Sequence, residues 1–162
     1  MSKPVSTSSK RREFLAVAGA SSAAAALGAR TARGGTGPAA APGSAGTVLV
    51  LGAHYDDAAF GVPGILLQAV RKGYRVVVLT FIGDYENWKP TRGRSEELVE
   101  GTRTINADYG VESHFLGYAS GTMTVTEEAK RAVAGVVAEV KPELAFMLWP
   151  RDQHPDHVVA SE

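Results

Sequence analysis

Cysteine is absent from this 162-residue chain. The absence excludes disulfide bonds, thiolate metal ligands and a cysteine nucleophile. Any bound metal must then be held by histidine, carboxylate or backbone oxygen. The chain has only four histidines, and their positions are therefore informative: His54, His114, His154 and His157.

An excess of charge of either sign is also missing, because 17 Lys and Arg residues balance 17 Asp and Glu residues. No basic field is available to attract nucleic acid, so we expect no nucleic-acid partner. The length fits one domain of ordinary size.

The N-terminal segment lacks the large apolar side chains of a membrane span. It has a basic start followed by an uncharged stretch rich in Ala, Gly and Ser, which is the layout of a secretory signal. Arg11 and Arg12, followed by "EFL", resemble the twin-arginine export signal R-R-x-F-L. The simpler alternative is a disordered basic tail with an Ala-rich helix.

We therefore expect residues 1–29 to be a signal peptide that the twin-arginine export machinery recognises. Residues 30–46 are rich in Gly, Ala and Pro and indicate a flexible linker. The protein would be exported to the periplasm or the extracellular space, and an uncleaved signal would leave it tethered to the membrane. Residues 47–162 would form the folded domain.

Strand-like and helix-like segments alternate over this domain. Apolar runs predict four strands, at residues 47–53, 75–83, 112–118 and 143–150. Helical patterns occupy the intervening segments, at residues 58–74, 95–110 and 124–141, and a further helix begins near residue 158. Pro63 and Gly64 disturb the early part of the first pattern, so its regular helix is expected to start near them. The alternation predicts an α/β fold, with an open, mainly parallel Rossmann-like sheet and helices on both faces in three layers.

Polar side chains at two helix starts are candidate N-caps. Thr91 or Ser95 can cap the second helix, and Thr124 or Thr126 can cap the third.

Two polar motifs follow predicted strands. "AHYDDA" comes after strand 1, and "RDQHPDH" comes after strand 4. Ligands of open α/β sheets bind beyond the carboxyl ends of the strands. If strands 1 and 4 are neighbours, the two motifs face each other.

The spacing of His54 and Asp57 lets both side chains converge on one point. A catalytic zinc site has three protein ligands and an open position for water. His154 and His157 are both candidates for the third ligand. Asp56 would then lie close to the reactive water without binding the metal, where a carboxylate can accept a proton.

Each motif alone has a simpler interpretation. Asp56 or Asp57 can cap a helix, and "HPDH" can be a polar loop with proline at a helix start. Three of the four histidines fall in these motifs, which favours a metal site. His114 lies in or beside a short strand, and we interpret it as structural.

The segment "GAHYDDAAFGVPGILLQAVRKGYRVVVLTFIG", with "WPRDQHPDH" following later, resembles the PIG-L/LmbE-like N-acetylglucosaminyl deacetylase family. That family has an A-H-P-D-D-E motif after strand 1 and a later H-P-D-H-type motif. The resemblance covers residues 47–162. It implies a zinc-dependent hydrolase, with another divalent metal such as Fe²⁺ as an alternative, that removes acetyl groups from N-acetylated amino sugars and their conjugates.

The resemblance also implies roles for the site residues. His54, Asp57 and His157 would bind zinc. Asp56 would be the general base. His154 would stabilise the oxyanion or protonate the leaving amine, and Asp156 would orient a histidine.

The sequence departs from the family pattern at two positions, where Tyr55 replaces the usual Pro and Ala58 the usual Glu. The chain ends five residues after His157, whereas family members continue, so we expect a C-terminally truncated member. One alternative is a catalytically inactive sugar-binding or metal-binding remnant of the same fold. A nucleotide-binding domain is disfavoured, because "GAHYDD" lacks a glycine-rich phosphate cradle.

Overall fold

The computed structural model describes residues 43–162, so the predicted signal peptide and most of the predicted linker lie outside the described residues. Four parallel strands form one open sheet in the order β3-β2-β1-β4. The strands are β1 (Thr47–Gly52), β2 (Arg75–Asp84), β3 (Val111–Ala119) and β4 (Leu144–Phe146). The helices are α1 (Asp57–Gly61), α2 (Pro63–Arg71), α3 (Ser95–Asp108), α4 (Glu127–Val140) and α5 (Pro155–Ser161), with a short 3₁₀ helix at Lys89–Thr91.

Helices cover both faces of the sheet. β1 and β2 are continuous apolar runs because their alternate side chains enter two separate cores. Val48, Val50 and Val78 pack with α1 and α2 on one face. Leu49 and Leu79 pack with α4 and α5 on the other. The predicted three-layer α/β fold is confirmed.

The first predicted helix is two helices, and the break lies at Pro63. Proline has no N–H to donate, so it fits at the start of a helix and interrupts one that is already running. α1 therefore ends at Gly61, and Pro63 is the first residue of α2. Gly73, with φ +83°, follows the end of α2, where the left-handed conformation favours glycine.

One predicted helix cap is confirmed and another is wrong. The Thr126 hydroxyl accepts a hydrogen bond from Ala129 N at 3.1 Å and caps α4. α3 instead has Arg94 at its N-cap, with no side-chain capping bond. The Ser95 hydroxyl accepts from Tyr85 N at 2.9 Å, so a bond to the preceding loop replaces the expected cap.

β4 is much shorter than predicted. The apolar run at residues 143–150 predicts a full strand, but only Leu144–Phe146 pair with β1. Beyond them, the Met147 and Trp149 side chains are 59% and 68% exposed. Among the described residues β4 pairs on one side only, so much of its apolar sequence is not buried.

Within residues 43–162, every helix is too short or too polar to span a lipid bilayer.

Candidate metal centre

The pairing of β1 with β4 brings the two polar motifs together at the carboxyl end of the sheet. His54 lies just after β1, and His157 lies in the first turn of α5. His54 Nδ1 and His157 Nε2 are 3.1 Å apart, although 103 positions separate them in the chain. The predicted convergence of the two motifs is therefore a feature of the fold.

Asp57 adds a carboxylate to this pair. Its Oδ1 lies 3.2 Å from His157 Nε2, and its Oδ2 lies 3.9 Å from His54 Nδ1. Oδ2 also accepts a hydrogen bond from His54 N at 2.9 Å, which closes the turn. A Cβ at Gly52 would lie 3.0 Å from Asp57 Cβ, so the glycine at the end of β1 leaves room for this side chain.

The other ring nitrogen of each histidine lies beside a further carboxylate. His54 Nε2 is 3.1 Å from Asp156 Oδ2. His157 Nδ1 is 3.1 Å from Asp152 Oδ2, but it is buried and the alignment misses that of a hydrogen bond. The Asp152 pKa is lowered, first by the hydrogen bond from His154 N and next by the His157 side chain.

Asp156 is held by more than the histidine. Its carboxylate is 2% exposed and accepts hydrogen bonds from Gly121 N at 3.0 Å and from the Ser120 hydroxyl at 3.3 Å. Sequence reasoning missed Ser120 and Gly121, because a turn after β3 carries no motif that indicates contact with α5. These bonds fix the carboxylate that faces His54.

His154 lies at the edge of the cluster and is exposed. Its ring centroid is 4.7 Å from that of His54 and 4.8 Å from that of His157. Its Nδ1 accepts a hydrogen bond from Asp156 N at 3.2 Å, which caps α5. The neutral ring therefore carries its proton on Nε2.

Asp56, His114 and Ala58, which the sequence also singles out, lie outside the cluster of candidate metal-binding donor atoms. Asp56 is the half-buried N-cap residue of α1, but its side chain makes no capping hydrogen bond. The Asp57 carboxylate bonds back to His54 N, so the simple capping interpretation of "HYDD" is wrong. His114 is a β3 residue in register with Leu79 and takes no part in the cluster. Ala58, where the family carries Glu, is buried against the core beside α2.

The donor atoms fit a divalent metal. Zinc bonds of about 2.0–2.1 Å in tetrahedral geometry place ligand atoms about 3.4 Å apart. His54 Nδ1 and His157 Nε2 are 3.1 Å apart, and the Asp57 carboxylate lies 3.2 Å from His157 Nε2 through Oδ1 and 3.9 Å from His54 Nδ1 through Oδ2. The three histidines His54, His154 and His157 are also a possible ligand set, since one donor atom from each lies within 4.8 Å of the others. A carboxylate behind each histidine is the usual arrangement around metal ligands.

An apolar cavity of about 330 Å³ lies elsewhere, between the sheet, α4 and α5. Leu51, Phe81, Val133 and Val159 line it, together with the chain end, and no residue of the polar cluster does. Its lining is mainly apolar and contains no histidine or aspartate, and its polar members include Thr124, Lys130, Ser161 and Glu162. The polar cluster is therefore the candidate site.

The sequence profile described as "PIG-L: GlcNAc-PI de-N-acetylase" matches residues 49–162. Solved structures share the fold. The 4-carboxy-2-hydroxymuconate hydratase GalB from Pseudomonas putida KT2440 has a TM-score of 0.62 and 18% identity, over 71% of this chain and 52% of that one.

Two further structures are similar. A conserved protein from Thermus thermophilus has a TM-score of 0.61 and 25% identity, over 70% of this chain and 51% of that one. The N,N'-diacetylchitobiose deacetylase from Pyrococcus horikoshii has a TM-score of 0.59 and 18% identity, over 68% and 45%. The chain spans about half the length of these structures.

Proposed function

Because the chain belongs to the PIG-L family of GlcNAc-PI de-N-acetylases, we propose that it is a zinc-dependent amide hydrolase. Its substrates would be N-acetylglucosamine-like amino sugars or their conjugates, from which it releases acetate. The observation that carries the proposal is the convergence of two imidazole nitrogens and one carboxylate within 3.9 Å at the carboxyl ends of β1 and β4.

In this proposal His54, Asp57 and His157 hold a divalent metal ion. The chemistry that such an ion supplies is Lewis acidity, which lowers the pKa of a water and polarises an amide carbonyl. Asp156 accepts a hydrogen bond from His54 Nε2–H and leaves His54 Nδ1 unprotonated, as a ligand atom must be. Iron(II) would use the same donor set, so Fe²⁺ is the alternative metal.

The residues beside the metal ligands would handle the protons. The Asp56 carboxylate accepts the proton of the attacking water while the water oxygen bonds to the amide carbon. The carbon–nitrogen bond then breaks as the amine nitrogen takes up the proton that Asp56 accepted, either from Asp56 or through His154. His154 Nε2–H would donate to the developing oxyanion or protonate the leaving amine, because its Nδ1 already accepts the bond from Asp156 N. Acetate and a free amino sugar are the products.

Asp56→Asn tests this assignment. We expect zinc to stay bound at about one ion per chain, because Asp56 is not a ligand, while acetate release from N-acetylglucosamine falls by at least about 100-fold. Asp108→Asn, at the exposed end of α3, is the matched control and should leave both unchanged. A purified protein that binds no divalent metal would overturn the proposal.

A hydratase shares this fold, and one fold serves several chemistries, so hydration is the second candidate reaction to test. The two proposals predict different products. An N-deacetylase releases acetate from an amide, whereas a hydratase adds water to a carbon–carbon double bond without releasing a fragment. Bound zinc without acetate release would instead favour a non-catalytic sugar- or metal-binding domain.

The twin-arginine motif supports the proposal that the protein is exported. Replacement of both Arg11 and Arg12 by Lys should keep the protein in the cytoplasm, as measured by cell fractionation. Export that persists in this variant would contradict a twin-arginine route.

A further inference from the structure

Tyr85 lies beneath the turn that carries His54. It follows β2, its side chain is 2% exposed, and it belongs to the core on the α4 side of the sheet. A hydroxyl buried to this extent requires hydrogen-bond partners. The Tyr85 hydroxyl has two: it donates to Ile82 O at 3.1 Å and accepts from Tyr55 N at 3.1 Å.

The bond from Tyr55 N acts on His54 directly, because this nitrogen belongs to the peptide that joins His54 to Tyr55. The peptide on the other side of His54 is held by the bond from His54 N to Asp57 Oδ2. Both peptides that flank the His54 Cα are therefore fixed. The direction of the imidazole follows from the backbone conformation that they define.

Tyr85 is itself fixed. Its N donates to the Ser95 hydroxyl at 2.9 Å, and its carbonyl accepts from the Thr91 hydroxyl at 2.9 Å. Its ring packs edge-to-face on Tyr55, with centroids 5.3 Å apart. Ser95 at the start of α3 and Thr91 just before it therefore fix the Tyr85 backbone, and the Tyr85 hydroxyl fixes the turn that carries His54.

We propose that Tyr85 is a positioning residue that sets the metal-binding orientation of His54 through the Tyr55 backbone N–H. This inference rests on the proposed function, in which His54 binds the metal. It also assigns a purpose to Tyr55, since the proline that is usual in the family at this position has no N–H to donate. A hydrogen bond here replaces the restraint that a proline ring supplies.

Burial raises the pKa of Tyr85. The hydroxyl therefore stays protonated around neutral pH, so it keeps its donor for Ile82 and its lone pair for Tyr55 N.

A double-mutant comparison tests the proposal. Tyr85→Phe removes the acceptor, and we expect zinc affinity, measured by competition with a chelator, to fall roughly tenfold. In a Tyr55→Pro background the same substitution should change zinc affinity little, because the donor is already gone. The loss of the bond to Ile82 is common to both backgrounds and cancels in the comparison.

Tyr55→Ala is the matched control background. It removes the ring that packs on Tyr85 but keeps the backbone N–H, so Tyr85→Phe should still cost roughly tenfold in zinc affinity there. Equal effects of Tyr85→Phe in the alanine and proline backgrounds would overturn the proposal.

A metal-free measurement separates this inference from the proposed function. Hydrogen exchange at the Tyr55 amide should be slow in the parent protein and at least about tenfold faster in Tyr85→Phe. If the chain binds no zinc but shows this difference in exchange rate, the proposed function is wrong and the restraint of the Tyr55 amide by Tyr85 stands. An unchanged exchange rate in Tyr85→Phe would overturn the restraint, whether or not the chain binds zinc. This rate can still be measured in the single variant if the double variant fails to fold.

Discussion

In each of the two histidines that join β1 to α5, both ring nitrogens lie close to another polar side chain. One nitrogen points into the cluster with Asp57, and the other faces a carboxylate, Asp156 for His54 and Asp152 for His157. The two carboxylates differ in surroundings, since Asp156 is 2% exposed and Asp152 is 34% exposed. The buried carboxylate therefore has the stronger influence on its histidine.

Asp156→Asn should lower zinc affinity by about 10- to 100-fold, because the amide replaces one of the oxygens that hold His54 and Gly121. The matched variant Asp152→Asn should have a smaller effect, since Asp152 is partly exposed and its contact with His157 is poorly aligned. Chelator competition measures both constants. Equal losses in the two variants would contradict a special role for the buried carboxylate.

Arg75 and Glu112 form a two-pronged ion pair across β2 and β3, with N–O distances of 2.9 and 2.7 Å. The hydrogen bond from Arg75 lowers the pKa of Glu112. A carboxylate whose pKa is lower in the folded protein stabilises it above the unfolded value, and this stability is lost as the pH falls through the folded value.

Glu112→Gln should therefore lower the free energy of unfolding by about 0.2–1 kcal/mol at pH 7, a small value because both side chains are partly exposed. The difference from the parent protein should shrink as the pH falls from about 5 toward 3. Urea unfolding at several pH values measures it. A difference that stays constant down to pH 3 would show that charge is not its origin.

At the scale of the elements, apolar runs predict strands well where both faces are covered. The sequence predicts β2 at residues 75–83, and the strand runs from Arg75 to Asp84, because helices bury its two faces. The same reasoning overestimates β4, whose apolar run continues past Phe146 without a neighbouring strand among residues 43–162. A run of apolar residues shows that a segment can be buried. Whether it is buried depends on the strands and helices that pack against it.

The site is predictable where a sequence motif carries the residues and not where a contact uses residues outside any motif. The motif pattern and the strand order predict that His54 and Asp57 meet His154 or His157, and the choice of His157 as a ligand comes from the family resemblance and stays a prediction. Tyr85 is not predicted, because its bond to Tyr55 crosses 30 positions and uses a backbone donor. Ser95 shows the same limit, since its hydroxyl bonds to Tyr85 N instead of capping its own helix.

The cap of α4 gives a prediction at this scale. Thr126→Ala should lower the free energy of unfolding by about 1 kcal/mol, because Ala129 N loses its acceptor. Thr124→Ala, also exposed and two residues earlier, should stay within about 0.5 kcal/mol of the parent protein. Chemical denaturation measures both, and similar losses in the two variants would show that the cap is not responsible.

At the scale of the whole molecule, the donor atoms come from both ends of the described domain. Zinc should bind the folded chain in preference to the unfolded one, and at a free concentration about 100 times its Kd it should add about 2.7 kcal/mol. For a domain of this size the unfolding temperature should rise by about 10 °C.

His157→Ala should abolish most of this rise, because it removes a donor atom, and His114→Ala should preserve it, because His114 takes no part in the cluster. Differential scanning calorimetry with and without zinc measures the shift. A rise of equal size in the His157 variant would place the zinc elsewhere.

The separation of His54 and His157 along the chain has a consequence for folding. An ion that joins positions 54 and 157 closes a loop of 103 positions. In the chain-entropy treatment, a covalent link around a loop of about 100 residues stabilises the folded state by about 4.7 kcal/mol, through the freedom that it removes from the unfolded chain. A chain without cysteine cannot form a disulfide. The metal would act as its reversible cross-link, and removal of the ion with a chelator would open it.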